Sequence, residues 1–314
     1  MRIVFMGTPG FAVPTLEAIN QKGHDILAVF TQPDRPSGRG RSIAFSPVKQ
    51  KAMELGISIQ QPDTLKQNQT IQAVSNLEPE IVVVVAYGLK LPNDILDIPK
   101  YGAVNLHPSL LPKYRGAAPI NHALLNGEKT TGITSVLMNS RMDAGDIILQ
   151  EEVPITDEEN AGELEGRLAK LGADLIIRSL DVLKAGDSEF KKQDESMVTL
   201  ASKLSSQDGH ITWSRSTDEV QNQIRGLTPK PGAFAMFKGK RLEILNILMN
   251  YELQIKNHEY LPGQVVAVDK DKGPVIKTLD GVVILTEVKP QGKKAMGGDE
   301  FLRGYKPAVG DKLL

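Results

Sequence analysis

Up to about residue 189, short apolar runs that are typical of strands alternate with segments whose apolar residues have the spacing of a helix. Continuous apolar runs predict buried strands, and the clearest is Ile81–Val85, because an unbroken β-branched run is typical of a strand covered on both faces. Strands are predicted at 2–6, 25–30, 80–86, 102–106, 132–138 and 145–152, and helices at 11–21, 118–126 and 161–184. Strands that alternate with helices favour an α/β domain with a doubly wound, mostly parallel sheet.

The pattern changes after residue 189. The polar segment 190–208 has no clear period and predicts a linker. A short helix is predicted at 216–226, followed by strands at 233–237, 241–248, 263–268, 274–278 and 282–288. Five short strands separated by turn residues favour a small β-barrel of the OB type, although sandwiches also use short strands. We therefore predict an α/β domain at 1–189, a linker, and an OB-like domain at 209–314.

Composition excludes several classes of protein. The chain has 314 residues, enough for two domains, and no apolar run approaches the ~18 residues of a membrane-spanning helix. The segment Met1–Gly7 is too short, and lacks the small-residue cleavage site, to be a signal peptide. The absence of cysteine excludes disulfides, thiolate metal ligands and a cysteine nucleophile. These features favour a cytoplasmic protein without contact with a membrane.

Charge is unevenly distributed along the chain. From Gly209 onward there are 16 basic and 12 acidic residues, whereas the residues before it include 21 basic and 26 acidic ones. A basic module joined to an acidic one hints at a polyanionic partner, although random scatter of charge is the simpler explanation of such totals.

The first predicted turn does not match a dinucleotide-binding site. Dinucleotide-binding folds have the glycine pattern G-x-G-x-x-G directly after the first strand, whereas this chain has Gly7-Thr8-Pro9-Gly10 there. Pro9 also lacks the backbone N–H that a pyrophosphate group needs. We therefore do not expect a nicotinamide dinucleotide cofactor.

Candidate chemistry lies at the predicted strand ends. Asn105 and His107 point the same way from an extended segment, and Asp143 stands between two predicted strands. An amide can stabilise an oxyanion, an imidazole can move a proton, and a carboxylate can orient the imidazole. An Asn-x-His pair at a core edge and an Asp-Gly hairpin turn would also explain these residues. Without a cysteine, and without elbow glycines around Ser109, we expect the nucleophile to belong to a substrate.

Stretches between residues 6 and 296 resemble one family, the methionyl-tRNA formyltransferases among the folate-dependent formyltransferases. In order along the chain they are MGTPGFA, FTQPDRPSGRGR, VVVVAYGLKLP, NLHPSLLPKYRGAAPI, MDAGDII, ITWS, PGAF and QGKKAM. NLHPSLLP followed by DAGD marks the wider folate-dependent group, and FTQPDRPSGRGR narrows the resemblance to the branch that acts on tRNA. The resemblance implies a Rossmann-like formyltransferase domain followed by an OB-type domain.

The resemblance also implies an activity. In this family a formyl group passes from 10-formyltetrahydrofolate to the α-amino group of methionyl initiator tRNA, for translation initiation. By position, the catalytic residues are Asn105, His107 and Asp143, which stabilise the tetrahedral intermediate and move protons; which of His107 and Asp143 carries each proton stays open. Folate contacts fall on Ser109, Leu110, Leu111 and Pro112, with Ala86, Tyr87 and Gly88 lining the pterin pocket. No metal is needed, because a neutral amine is already a nucleophile.

Basic residues are the candidates for contact with tRNA. The resemblance assigns this role to the loop carrying Arg35, Arg39, Arg41 and Lys49. In the second domain, the candidates for a phosphate-binding surface are Arg225, Lys230, Lys293 and Lys294, because an OB barrel with a basic face is a common platform for nucleic acids. Positive charge on a glycine- and proline-rich loop suits contact with a phosphate backbone, although a solvated loop often has the same composition. Arg39 is the loop residue expected to matter most for tRNA use.

Three positions depart from the family pattern, and two other functions remain open. Gly10 stands where an acidic residue is usual, Lys230 stands where tryptophan is common, and 139–141 is unusually polar. One alternative is a formyltransferase that acts on a small amine, such as a nucleotide-linked amino sugar or glycinamide ribonucleotide. The other is a nucleic-acid-binding protein whose α/β domain has lost catalysis. Nothing in the sequence requires more than a monomer.

Overall fold

The computed structural model describes residues 1–37, 42–186, 189–249 and 260–314. The described chain divides into two compact units. The first comprises Met1–Pro119, Thr130–Pro154 and Glu165–Ala201, and the second comprises Ile120–Lys129, Ile155–Leu164 and Ser202–Leu314. The second unit thus takes in two segments, 120–129 and 155–164, that precede the predicted linker. The domain bounds derived from the sequence stay a prediction.

Up to residue 201 the chain forms eleven strands among the described residues. They are β1 (Arg2–Gly7), β2 (Asp25–Phe30), β3 (Arg35–Ser37), β4 (Ser42–Ala44), β5 (Ile59–Gln60), β6 (Ile81–Val85), β7 (Ala103–His107), β8 (Arg115–Gly116), β9 (Thr130–Leu137), β10 (Asp146–Pro154) and β11 (Leu200–Ala201). The helices are α1 (Val13–Gln21), α2 (Pro47–Glu54), α3 (Asn68–Ser75), α4 (Asn93–Leu96), α5 (Pro119–Leu125) and α6 (Ala161–Ala185), with short 3-10 turns at Gly10–Ala12 and Glu195–Met197.

A seven-stranded sheet of order β10-β9-β7-β6-β1-β2-β5 forms the centre of the first unit. β5, β2, β1, β6 and β7 run parallel, whereas β9 and β10 are antiparallel to their neighbours. Every residue of β6 is buried, as its unbroken β-branched sequence predicts. The predicted mostly parallel sheet is therefore confirmed.

The second unit contains a separate antiparallel sheet. Its strands are β12 (Phe234–Phe237), β13 (Lys240–Leu248), β14 (Val265–Asp269), β15 (Gly273–Lys277), β16 (Val282–Pro290) and β17 (Met296–Gly297), with helices α7 (Thr217–Leu227) and α8 (Gly298–Tyr305). The strand order is β12-β13-β16-β15-β14, and β17 pairs with β16. The C-terminal strands therefore form an antiparallel sheet, and its closure into the OB-type barrel stays a prediction.

The last residues of the chain connect the two edge strands of this antiparallel sheet. Leu314 donates a backbone hydrogen bond of 2.9 Å to the carbonyl of Met236 on β12. Asp311 accepts one of 2.8 Å from the N–H of Val265 on β14. The C-terminal segment therefore supplies hydrogen-bond partners to both edges, which would otherwise be open to pairing with another chain.

Residues 191–201, within the predicted linker, belong to the first unit and are hydrogen-bonded to its strands. Lys191 and Ile147 exchange two backbone hydrogen bonds, of 2.8 and 3.0 Å. β11 pairs in parallel with β8, which brings Ala201 opposite Gly116. This segment therefore has a fixed position beside the loops that carry the candidate site. No helix in the described part of the chain is long and apolar enough to cross a membrane.

Candidate active site

A cavity of about 490 Å³ lies at the carboxyl ends of β6 and β7 in the first unit. Its walls are mainly apolar and include Val84, Leu89, Leu91, Leu106, Val136 and Met138. The polar residues that line it include Asn105, His107 and Asp143, together with Lys90, Asn139, Ser140 and Arg141. Ligand sites in open α/β folds occur at this edge of the sheet, and pockets of roughly 300–1,000 Å³ hold small molecules. The three predicted catalytic residues therefore share one cavity of suitable size.

Asn105 offers the cavity an unused amide. Asn105 lies on β7, where it pairs with Val84 of β6 on one side and with Val136 of β9 on the other. Its backbone is therefore fixed by strands on both sides. Within the described chain, no residue hydrogen-bonds to its side chain, although the side chain lines the cavity. Both amide N–H groups are therefore available to an oxygen atom of a bound substrate.

His107 is buried at the end of β7 and held by the main chain. Its Nε2 lies 2.9 Å from the carbonyl oxygen of Tyr114. Because a carbonyl can only accept, Nε2 carries the hydrogen, and the neutral ring has its lone pair on Nδ1. Nδ1 is 3.7 Å from Oδ1 of Asp143, too far for a hydrogen bond but within ion-pair distance of a protonated ring. The imidazole can therefore accept a proton at Nδ1 beside a carboxylate.

The carboxylate of Asp143 is anchored on its other oxygen. Oδ2 accepts a 2.9 Å hydrogen bond from the backbone N–H of Gly116. Gly116 has φ 127°, and a Cβ there would lie 2.4 Å from the carbonyl oxygen of Ala201, so only glycine fits. Sequence reasoning missed Gly116 as a site residue; its position in KYRGAAPI, directly after the motif that carries His107, was the available signal.

Three non-glycine residues around the site have left-handed backbones. They are Ala86 with φ 48°, Tyr114 with φ 61° and Asp143 with φ 49°. Ala86 and Asp143 line the cavity, and Tyr114 provides the carbonyl that binds His107. Such conformations cost about 1–3 kcal/mol each and are concentrated at functional sites, where the surrounding structure maintains them.

The structure separates the residues predicted to contact folate into two groups. Ala86, Tyr87 and Gly88 line the cavity, whereas none of Ser109, Leu110, Leu111 and Pro112 is among its lining residues. Ser109 is fully buried and donates a 2.7 Å hydrogen bond to the carbonyl of Lys113. Leu111 packs against Val136 and Ile147. Contact between this second group and a ligand stays a prediction.

Tyr87 presents an unusual hydroxyl. The side chain is 1% exposed, and its hydroxyl group makes no hydrogen bond with the described residues. Burial raises the pKa of Tyr87 to about 12, because the charged phenolate is disfavoured away from water. The hydroxyl is therefore buried away from solvent, although Tyr87 is one of the residues that line the cavity.

The basic residues near the start of the chain differ in their surroundings. Arg35 is exposed on β3, which pairs with β4, whereas Arg39 and Arg41 lie outside the described residues. Lys49 forms an ion pair with Asp34, donates a 2.8 Å hydrogen bond to Gln61, and its side chain is only 15% exposed. The hydrogen bond from Lys49 lowers the pKa of Asp34 below its ordinary value. The charge of Lys49 is therefore compensated within the protein.

The predicted tRNA contacts of the second unit also fall into two kinds. Lys230, Lys293 and Lys294 are exposed. Arg225 is buried on α7 and donates hydrogen bonds to the carbonyl of Thr156, at 2.9 Å, and to Oδ1 of Asn222, at 3.0 Å. Burial lowers the pKa of Arg225. These contacts assign Arg225 a structural role in the second unit. In the described ranges, no three His, Asp or Glu side chains gather to hold a metal.

Comparison with known proteins identifies the class. The family described as "Formyl transferase" matches residues 1–180, and "Formyl transferase, C-terminal domain" matches residues 203–306. The methionyl-tRNA formyltransferase of Fusobacterium nucleatum subsp. nucleatum is 43% identical over the whole of both chains. That of Moorella thermoacetica is 44% identical over all of this chain and 99% of its own length. The chain therefore belongs to the methionyl-tRNA formyltransferase family and is an enzyme, which confirms the resemblance found from the sequence.

A solved structure shares the fold. HypX from Aquifex aeolicus, in complex with tetrahydrofolic acid, matches 98% of this chain with a TM-score of 0.68 and 18% identity. This chain spans about half of HypX, 48% of its length. At this level of identity the likeness concerns the fold alone.

Proposed function

We propose that this protein transfers the formyl group of 10-formyltetrahydrofolate to the α-amino group of methionyl initiator tRNA. The observation that supports this most strongly is the meeting of Asn105, His107 and Asp143 at one cavity, with a free amide, a proton acceptor and an anchored carboxylate. The names of the relatives support the tRNA acceptor. A structure of the same fold with tetrahydrofolic acid supports the donor.

The cavity suits the donor in size and character. About 490 Å³ with apolar walls accommodates a flat heterocycle, and the segment Ala86–Gly88 offers backbone groups beside it. 10-Formyltetrahydrofolate supplies an electrophilic formyl carbon bound to nitrogen. Asn105 and His107, at the end of β7, are the residues that would lie beside that carbon, and the predicted contacts at Ser109–Pro112 would extend the site.

The arrangement of the three residues supports a proton-balanced transfer. As the neutral amine attacks, negative charge develops on the formyl oxygen, and the free N–H groups of Asn105 stabilise it. The proton leaving the amine passes to Nδ1 of His107, and Asp143 stabilises the imidazolium that forms. The new C–N bond replaces the bond to the folate nitrogen, and the same proton ends on that departing nitrogen. His107 is then neutral again.

The second unit and the basic segment that carries Arg35, Arg39 and Arg41 would bind the acceptor. We assign the C-terminal sheet, joined at both edges by the last residues, to an OB-type barrel, a common platform for nucleic acids. Exposed Lys230, Lys293 and Lys294 would contact phosphates, as would Arg35 and the predicted Arg39 and Arg41. Tight contact of Lys49 or Arg225 with phosphate is less favoured, because both are engaged internally. We expect the protein to act in the cytoplasm as a monomer.

Two histidine-to-alanine variants, one at the cavity and one away from it, test the catalytic part of this proposal. His107→Ala should lower kcat for formylation of methionyl initiator tRNA by about 10²–10⁴-fold, the usual contribution of a general acid–base group. His24→Ala is the matched control, because His24 lies beside the N-terminus and not at the cavity. Product formation is followed with 10-formyltetrahydrofolate as donor. A His107→Ala enzyme as fast as the control would contradict the mechanism.

A further inference from the structure

We propose that Gln193 is a positioning residue that holds the Asp143 loop, residues 139–145, in its reactive conformation. The inference rests on the proposed role of Asp143 in formyl transfer. Gln193 follows α6 in a segment without hydrophobic periodicity, and it does not line the cavity. Its effect on the reaction would therefore be transmitted through the loop it contacts.

The side-chain amide of Gln193 binds the loop on both sides of Ala144. Nε2 donates to the carbonyl oxygen of Asp143 at 2.8 Å and to that of Gly145 at 2.7 Å. The carbonyl between them, that of Ala144, accepts from Nδ2 of Asn139 at 3.1 Å. The backbone carbonyls of residues 143–145, which lie in neither a helix nor a strand, thus all accept hydrogen bonds from side-chain amides. The backbone of the loop is fixed by these contacts.

Arg115 in turn fixes the orientation of Gln193. Oε1 of Gln193 accepts from Nε of Arg115 at 3.0 Å and from Nη2 at 2.8 Å. The guanidinium of Arg115 can only donate hydrogen bonds, and the two loop carbonyls can only accept them. If the amide of Gln193 were flipped, its NH2 group would face the N–H groups of Arg115 and its oxygen would face the two carbonyl oxygens. Arg115 is buried and also bonds Glu195, at 3.1 and 3.2 Å. All four hydrogen-bonding positions of the Gln193 amide are used in one orientation.

The loop needs this support because its conformation is unfavourable alone. Asp143 has φ 49°, a left-handed backbone that is unfavourable for a residue other than glycine. In that conformation one carboxylate oxygen meets the N–H of Gly116 and the other lies 3.7 Å from His107 Nδ1. Loss of the two Gln193 hydrogen bonds would free the loop to relax and would move the carboxylate away from the imidazole.

Gln193→Glu tests the role with minimal change in shape. The carboxylate keeps acceptors for Arg115 but has no hydrogen for the two loop carbonyls. We expect kcat to fall about 10- to 100-fold, as a misplacement on the order of 1 Å produces, with KM for donor and tRNA unchanged. Gln193→Met, of similar length and without polar groups, should give the same loss if Gln193→Glu folds poorly. The control is Gln69→Glu, the same change at an exposed glutamine of α3.

A double-mutant cycle separates positioning from a general effect on stability. If Gln193 acts through Asp143, Gln193→Glu should cost little further activity in an Asp143→Asn background. Equal losses in both backgrounds, or a Gln193→Glu enzyme as fast as wild type, would overturn the positioning role alone. A fully active Asp143→Asn enzyme would overturn the catalytic role of Asp143 and this proposal together.

Discussion

The candidate active site and the basic residues expected to contact tRNA are held in very different ways. His107 and Asp143 are each anchored by a backbone group, the carbonyl of Tyr114 and the N–H of Gly116. Lys293 and Lys294 are exposed side chains on a turn. Proton transfer requires one geometry, which the backbone can maintain, whereas phosphate attraction requires only positive charge near a surface. The comparison therefore predicts sharp losses from site mutations and graded, salt-dependent losses from surface mutations.

After His107, the largest effect in this comparison is expected at Asn105. Asn105→Ala removes the free amide that lines the cavity without breaking a hydrogen bond of the folded protein. We expect kcat to fall about 10²–10³-fold, as for other oxyanion donors. Thermal unfolding should be little changed, so steady-state formylation and a melting curve together check the prediction. A variant that lost stability but kept kcat would assign Asn105 to the core instead.

A smaller and different effect is expected from the exposed lysines. Replacing Lys293 and Lys294 by alanine should weaken tRNA binding and reduce the slope of log K against log salt by about 1 per residue lost. Binding titrations over a range of salt concentrations measure that slope, with kcat at saturating tRNA unchanged. A slope equal to that of the wild type would show that neither lysine contacts a phosphate.

Arg225 provides the contrast within the same unit. Arg225→Ala removes the hydrogen bond that the buried, charged guanidinium donates to the carbonyl of Thr156, and such bonds contribute about 1.5–3 kcal/mol to the free energy of unfolding. The salt slope of tRNA binding should stay as in the wild type, since this side chain is 7% exposed. Chemical denaturation measures the first quantity. A reduced salt slope with unchanged stability would instead make Arg225 a phosphate contact.

The smallest effect at neutral pH is expected at Tyr87. Because folding raises its pKa from 10.0 to about 12, the native state favours the neutral phenol. That contribution to stability is complete below pH 10 and is lost as the pH rises toward 12, at up to about 1.4 kcal/mol per pH unit. Tyr87→Phe should remove this loss and leave the KM for the donor unchanged. If the free energy of unfolding fell equally with rising pH in the wild type and in Tyr87→Phe, this prediction would be wrong.

The longer strands of the first unit, of five or more residues, could be predicted because each carries its own signal. An unbroken apolar run marks β6, and β2 begins and ends at the predicted residues Asp25 and Phe30. Helix α8 is not among the predicted elements, and glycine at its N-cap and first position, Gly297 and Gly298, is not typical of a helix. A Cβ at Gly298 would lie 1.9 Å from the carbonyl oxygen of Leu285, so this glycine allows close packing rather than ending a helix. Such a contact between distant segments leaves no local pattern.

The same reasoning explains what could be predicted of the site. Asn105, His107 and Asp143 could be proposed because their side chains are chemically distinctive and stand at strand ends. Gln193 could not, because it acts on backbone carbonyls and lies in a polar segment that reads as a linker. The partners of Lys49 and Arg225 were also hidden, since Asp34 and the carbonyl of Thr156 approach them only in the folded chain.

The central claim is that the acceptor is methionyl initiator tRNA, and a competition between acceptors tests it most directly. The purified protein is given 10-formyltetrahydrofolate and either methionyl initiator tRNA, methionyl elongator tRNA or a nucleotide-linked amino sugar, and kcat/KM is measured for each. We predict the highest value for the initiator tRNA and none detectable for the amino sugar. Faster transfer to the amino sugar than to either tRNA would contradict the proposed function.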